Sequence, residues 1–133
     1  MRKNTGLWVM VLAAVWLSSC SAGGSSSGEL AGSWELVSMP GHSRIPVMVT
    51  LNFEPAEGRI SGNAGCNSYS GDYKVQGGKL VIGPDMMMTL MACPDNNWNE
   101  NDFLSVLPTA SGFSVDGGQL VLDVDGGQMV FFR

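Results

Sequence analysis

One histidine, three cysteines and seven lysines and arginines are all that this chain of 133 residues offers to several kinds of chemistry. The histidine, His42, sits in a Pro-Gly-His-Ser loop. A general base needs a nucleophile and an orienting acid within hydrogen-bond reach. No spacing in the sequence supplies them, so His42 is predicted to be a solvated loop residue and the chain is predicted not to be an enzyme. The cysteines include no Cys-x-x-Cys pair. Zinc normally takes four ligands at short local spacings, so no metal and no cofactor is predicted. Basic residues are outnumbered. The formal charge is −5, and removing the first nineteen residues, which hold Arg2 and Lys3 but no acid, takes it to −7. Such a domain repels phosphate backbones, which argues against nucleic acid as a partner, and it has no electrostatic pull toward anionic lipid. The longest unbroken apolar run, Leu7 to Leu17, has eleven residues, whereas a permanent transmembrane helix needs about 20.

That run follows the basic start and ends in Leu17-Ser18-Ser19-Cys20. Its length suits the apolar region of an export signal. Its end resembles the bacterial lipobox, in which an aliphatic residue and two small residues precede a cysteine that is lipidated and becomes the new N-terminus. An ordinary secretory signal that happens to contain a cysteine is the alternative. The position of Cys20 just after the apolar run favours the lipobox. Residues 1–19 are therefore expected to be a signal peptide, with Cys20 as the lipidation site. Each buried CH₂ of an acyl chain contributes ~0.8 kcal/mol, and stable attachment takes more than one chain. Ser21, rather than aspartate, after the cysteine implies by resemblance the outer membrane, with the domain facing the periplasm or the cell surface. Ser21 to Gly28 carries no apolar side chain larger than alanine. Residues 20–28 thus read as a lipidated cysteine and a flexible tether with an r.m.s. length of ~16 Å, leaving 29–133 as one domain.

With Cys20 consumed, Cys66 and Cys93 remain as an even pair in an oxidising compartment and are predicted to form a disulfide. Two buried free thiols, or a metal pair, are the alternatives.

Eighteen glycines, many in pairs between short apolar runs, point to many tight turns and short strands. Gly32 to Met39 reads as a strand with Trp34 and Leu36 on one face. Val47 to Glu54 alternates, with Val47, Val49, Leu51 and Phe53 inward. Arg59 to Ala64 returns as a strand, Gly65 to Gly71 is turn-rich, and Asp72 to Gln76 is short and extended. Gly77-Gly78 turns into Lys79 to Gly83, and the methionine-rich run Met86 to Met91 follows Pro84-Asp85. One helix is predicted after Cys93-Pro94, capped by Asn97 with Glu100 in capping-box position, with Phe103, Val106 and Leu107 on one stripe and Pro108 ending it. Asp116-Gly117-Gly118 and Asp125-Gly126-Gly127 supply two further hairpin turns. The sum is a mainly β domain: a small up-and-down antiparallel barrel of about eight short strands, with one short α-helix between the later strands.

Two blocks, Gly65-Cys66-Asn67-Ser68-Tyr69-Ser70-Gly71-Asp72-Tyr73 and Met88-Thr89-Leu90-Met91-Ala92-Cys93-Pro94, followed by Phe103-Leu104 on a helix and a closing hairpin, resemble the META domain. This is the family of the HslJ heat-shock lipoproteins, and the resemblance runs from about Gly32 to Arg133. It implies a small mostly-β domain, often lipid-anchored in Gram-negative bacteria and linked to stress, with no established enzyme activity. The family-motif residues are Gly65, Asn67, Tyr69, Gly71, Tyr73, Thr89, Met91 and Pro94. Two positions depart from the usual pattern: Ser68 and Leu90 stand where relatives commonly carry a basic residue.

The remaining chemical candidates have simpler readings. Cys66 lies in a glycine-flanked turn, but export and pairing make it inert. Asp123-Val124-Asp125-Gly126 resembles part of a calcium loop yet lacks the later ligands, so it reads as a turn. Met86, Met87, Met88 and Met91 can in principle bind Cu(I), but alternation along a strand splits them, and core and rim filling is preferred. Two function classes follow. The first is a non-catalytic envelope lipoprotein, held to the membrane through acyl chains on Cys20, that binds an envelope protein or small partner. The second is a small-ligand carrier using the barrel interior, with Trp34, Phe53 and Trp98 as candidate lining. A carrier calls for an apolar cavity above roughly 300 Å³.

Overall fold

The computed structural model describes residues 27–133; the signal segment, Cys20 and most of the tether lie outside the described residues. A four-residue helical turn, α1 (Ser27–Leu30), takes in the last two tether positions. The strands are β1 (Gly32–Ser38), β2 (Thr50–Glu54), β3 (Arg59–Asn63), β4 (Ser68–Gln76), β5 (Lys79–Ile82), β6 (Met87–Met88), β7 (Gly112–Asp116), β8 (Gln119–Val124) and β9 (Gly127–Phe132), with α2 (Glu100–Val106) and a 3₁₀ turn (Leu107–Thr109) between β6 and β7.

All pairings are antiparallel, and the strand order is β5-β4-β3-β2-β1-β9-β8-β7, with β6 on β4. Along that eight-strand path only β1 and β9 are neighbours that do not follow one another in sequence, and the sheet curls into a nearly closed eight-strand barrel. The seam falls between β5 and β7, where the Leu80 N–H donates to the Ser111 carbonyl at 3.0 Å. The helix-bearing excursion leaves and re-enters at this seam.

Alternation puts the apolar side chains inside. Trp34, Leu51, Phe53, Ile60, Leu122, Met129 and Phe131 are all buried and fill the barrel. Trp34 donates its indole N–H to the Leu30 carbonyl at 2.8 Å, and the Arg133 guanidinium lies 4.1 Å over its ring, so the chain start and chain end seal one mouth. The turns at 55–58, 77–78 and 117–118 share that end. The opposite mouth carries the 39–49 connection, the 64–67 turn, the 125–126 turn and the excursion.

Two local expectations need correction. Of the segment read as turn-rich, Gly65 to Asn67 do turn, but from Ser68 it begins a nine-residue strand, β4, because its small polar residues Ser68 and Ser70 face outward or sideways while Tyr69 and Tyr73 point in. Gly71 is a packing glycine: the Met86 sulfur fills the space where a β-carbon would sit. The cap of α2 is Asn99, whose side chain accepts the Asn101 N–H at 3.0 Å. Asn97 instead adopts a left-handed conformation at φ 60°. As expected, α2 stops just before Pro108, with Leu107 as its C-cap, and Pro108 itself lies in the following 3₁₀ turn.

Candidate functional site

The two sequence blocks meet at one place, the mouth opposite the chain ends, and Asn67 is its centre. It is 5% exposed, and burial of an amide is tolerable only if its donors and acceptor are all used. Its Oδ1 accepts the Thr89 hydroxyl at 3.0 Å and the Met91 N–H at 2.6 Å. Its Nδ2 donates to Glu100 Oε1 at 2.8 Å and to the Met91 carbonyl at 3.3 Å. Glu100 completes the bracket, with Oε2 accepting the backbone N–H of Asn67 at 2.7 Å and of Cys66 at 3.1 Å. These are charge-assisted bonds and correspondingly strong. The capping-box role expected of Glu100 is therefore replaced by a long-range one. Cys66 and Cys93 are joined in a disulfide, with Cα atoms 5.9 Å apart.

Around this bracket the 64–67 turn is fixed to α2 and to the 39–49 connection. The Trp98 indole donates to the Ala64 carbonyl at 2.7 Å, and any side chain on Gly65 would collide with the Trp98 ring. His42 packs edge-on against Trp98 with centroids 5.1 Å apart, and its Nε2 lies 3.0 Å from Asp102 Oδ2. The two residues stand 60 apart in the chain, and no local spacing points to this acid. The pair is partly exposed, so it ties a loop to a helix with little energy, and no nucleophile is hydrogen-bonded to the ring among the described contacts.

The other motif residues work in the wall. Tyr69 reaches across β3 to donate its hydroxyl to the Thr50 carbonyl at 2.6 Å, passing over Gly62, where a β-carbon would collide with that same carbonyl. Its ring meets Phe103 of α2 edge-on at 5.5 Å, and burial pushes its phenol well above the usual tyrosine range. Tyr73 packs edge-on against Phe53 at 5.0 Å and is shifted the same way by burial. Pro94 follows Cys93 on the exposed strand of chain that crosses the mouth.

Ligand sets are thin. Cys66, Cys93 and Glu100 bring three potential ligand atoms within 4.8 Å of one another, but sulfurs bonded to each other offer no thiolate, and Glu100 already accepts from three N–H donors. The methionines are split as alternation requires: Met86 and Met88 pack against the core, while Met87 faces solvent.

What the bracket displays is a strap of seven consecutive exposed residues, 89–95, without regular secondary structure. Met87 is 74% exposed, Leu90 89% and Met91 58%. Two surface depressions flank it. One, of about 350 Å³, is lined by Ser68, Tyr69, Ser70, Met87, Met88 and Thr89. The other, of about 300 Å³, lies over Asn67, Met88, Met91, Trp98 and Glu100. A third, of about 380 Å³, sits lower on the wall beside Asp72, Tyr73 and Lys74. All are outside the packed interior, and neither Trp34 nor Phe53 lines them.

Residues 28–133 match the family model of the META domain. An NMR structure of a protein from Burkholderia xenovorans is similar at 28% identity and a TM-score of 0.61, covering 78% of this chain and 82% of that one. A second NMR structure has 23% identity and a TM-score of 0.58, with 77% and 89% covered. A crystal structure of a DUF4847 family protein from Bacteroides vulgatus shares the fold at 15% identity and a TM-score of 0.54, with 78% and 93% covered. No curated protein matches the chain in sequence.

Proposed function

Because the chain belongs to the META domain family, we propose that it is a non-catalytic, lipid-anchored envelope domain that works through its surface, as a binding or stress-response module. The observation that carries this reading is how the motif spends its polar atoms. Asn67, Thr89 and Glu100 bond to one another and to backbone, which leaves no poised acid, base or nucleophile at the place where the family blocks converge. Their work is to hold the strap in shape.

The carrier alternative calls for space in the barrel, and that space is taken by Trp34, Phe53, Leu51 and Phe131. Anchoring rests on the Leu17-Ser18-Ser19-Cys20 sequence, and the outer-membrane address on Ser21. The test is metabolic labelling with an alkyne palmitate analogue in a Gram-negative host, followed by membrane fractionation. We expect label on the wild-type chain in the outer-membrane fraction and none on Cys20→Ser. An unlabelled wild-type chain recovered in the soluble fraction overturns the anchored reading.

A further inference from the structure

We propose that the strap 89–95 and its two flanking depressions form a docking surface for a cationic protein segment that carries an apolar anchor. The inference deepens the surface-binding reading and rests on it.

Charge chooses the occupant. Between Lys79 and Arg133 the chain has no lysine or arginine, while it has seven acids. Two of these, the exposed Asp85 and Asp95, bracket the apolar residues Met87, Leu90 and Met91, and Asp102 lies a short way on in α2. Of the five basic residues in the described part, Arg59, Lys74, Lys79 and Arg133 belong to the end where the chain starts and stops. Arg44, in the 39–49 connection, is the one at the strap end. Apolar side chains exposed together and rimmed by one sign of charge mark a surface that binds a partner of the opposite sign.

The same features count against two other occupants. A second copy would bring acid against acid. A bilayer with anionic lipid would repel the patch. The shape suits side chains rather than a small ligand: Met88 forms a wall shared by the two depressions, and Leu90, 89% exposed, lies in the chain between Thr89, which lines one, and Met91, which lines the other.

The test uses the full chain in zwitterionic nanodiscs and two fluorescent peptides of alternating sequence, lysine–leucine and glutamate–leucine, read by anisotropy at low and moderate salt. A benzophenone version of the lysine–leucine peptide maps the contact by crosslinking and mass spectrometry. We expect the lysine–leucine peptide to bind at least tenfold more tightly than the other, to weaken with salt, and to crosslink within 85–102. Both the Leu90→Ser variant and the Asp85→Asn/Asp95→Asn variant, whose changes lie on exposed side chains, should lose most of that preference. Equal binding of the two peptides, crosslinks elsewhere, or unchanged binding by both variants overturns the proposal. So does concentration-dependent dimerisation abolished by Leu90→Ser, or adhesion of the strap to phosphatidylglycerol vesicles. Acylation is scored separately in the labelling experiment, so failure of the docking surface and failure of the anchored reading are distinguishable.

Discussion

Asn67 shows how much one side chain can organise. Replacing it with alanine strips Met91 N–H, the Thr89 hydroxyl and Glu100 Oε1 of partners at once, and each group left without one in a semi-buried place costs about 1–3 kcal/mol. Asn67→Ala is therefore expected to lose about 3 kcal/mol of stability in urea unfolding, and backbone amides of the strap should exchange hydrogen much faster, while those of β8 and β9 change only in step with global stability. Tyr69 gives a second prediction at this scale. Its neutral form is favoured by the fold, so the folded phenol keeps its proton above pH 10 while the unfolded chain releases it. Stability should be flat below pH 10 and fall above it by up to about 1.4 kcal/mol per pH unit for this group. The chain has two tyrosines, both shifted upward by burial. Native phenolate absorbance should therefore rise only above pH 10, and the Tyr69 part only as the chain unfolds. A tyrosine signal titrating normally near pH 10 in the folded protein contradicts this.

Among the elements, hairpins were the easiest to read from sequence and the excursion the hardest. Gly77-Gly78, Gly117 and Gly126 sit at positive φ, where glycine is favoured on steric grounds alone, so their turns are written locally. The inward set Val49, Leu51 and Phe53 was likewise legible from alternation, although the strand itself begins only at Thr50. The bracket was not legible. Asn67 and Glu100 lie 33 residues apart, and no local rule connects them. Glu100 does have a local signal, an acid at the start of a helix, and that signal pointed to a capping box and hid its true partners. Asn97 and Asn99 separate the two readings of the helix start experimentally. Asn99→Ala should cost about 1 kcal/mol through loss of the cap, whereas Asn97→Gly should be neutral or slightly stabilising because it relieves a left-handed residue. Thermal melts of both variants check this, and the opposite order contradicts the observed cap.

For the molecule as a whole, the disulfide links the wall to the excursion across 27 residues. In the chain-entropy view such a loop contributes about 3.6 kcal/mol. Reducing it, or making Cys66→Ser/Cys93→Ser, should lower the melting temperature by roughly 15 °C or more for a domain of this size. A shift of under about 3 °C would mean that the Asn67–Glu100 bracket alone holds the excursion. Beyond stability, the adjacency of β1 and β9 has a topological consequence. The Arg133 side chain touches the Ala31 carbonyl at 3.1 Å, so beginning and end of the described chain are already side by side, and the fold behaves as a ring cut at an arbitrary point. Splicing residue 133 to residue 29 through a few glycines and starting the polypeptide in the Gly77-Gly78 turn should yield a circular permutant with the same near-ultraviolet spectrum, its new ends at the same mouth as the old ones but across the barrel from them.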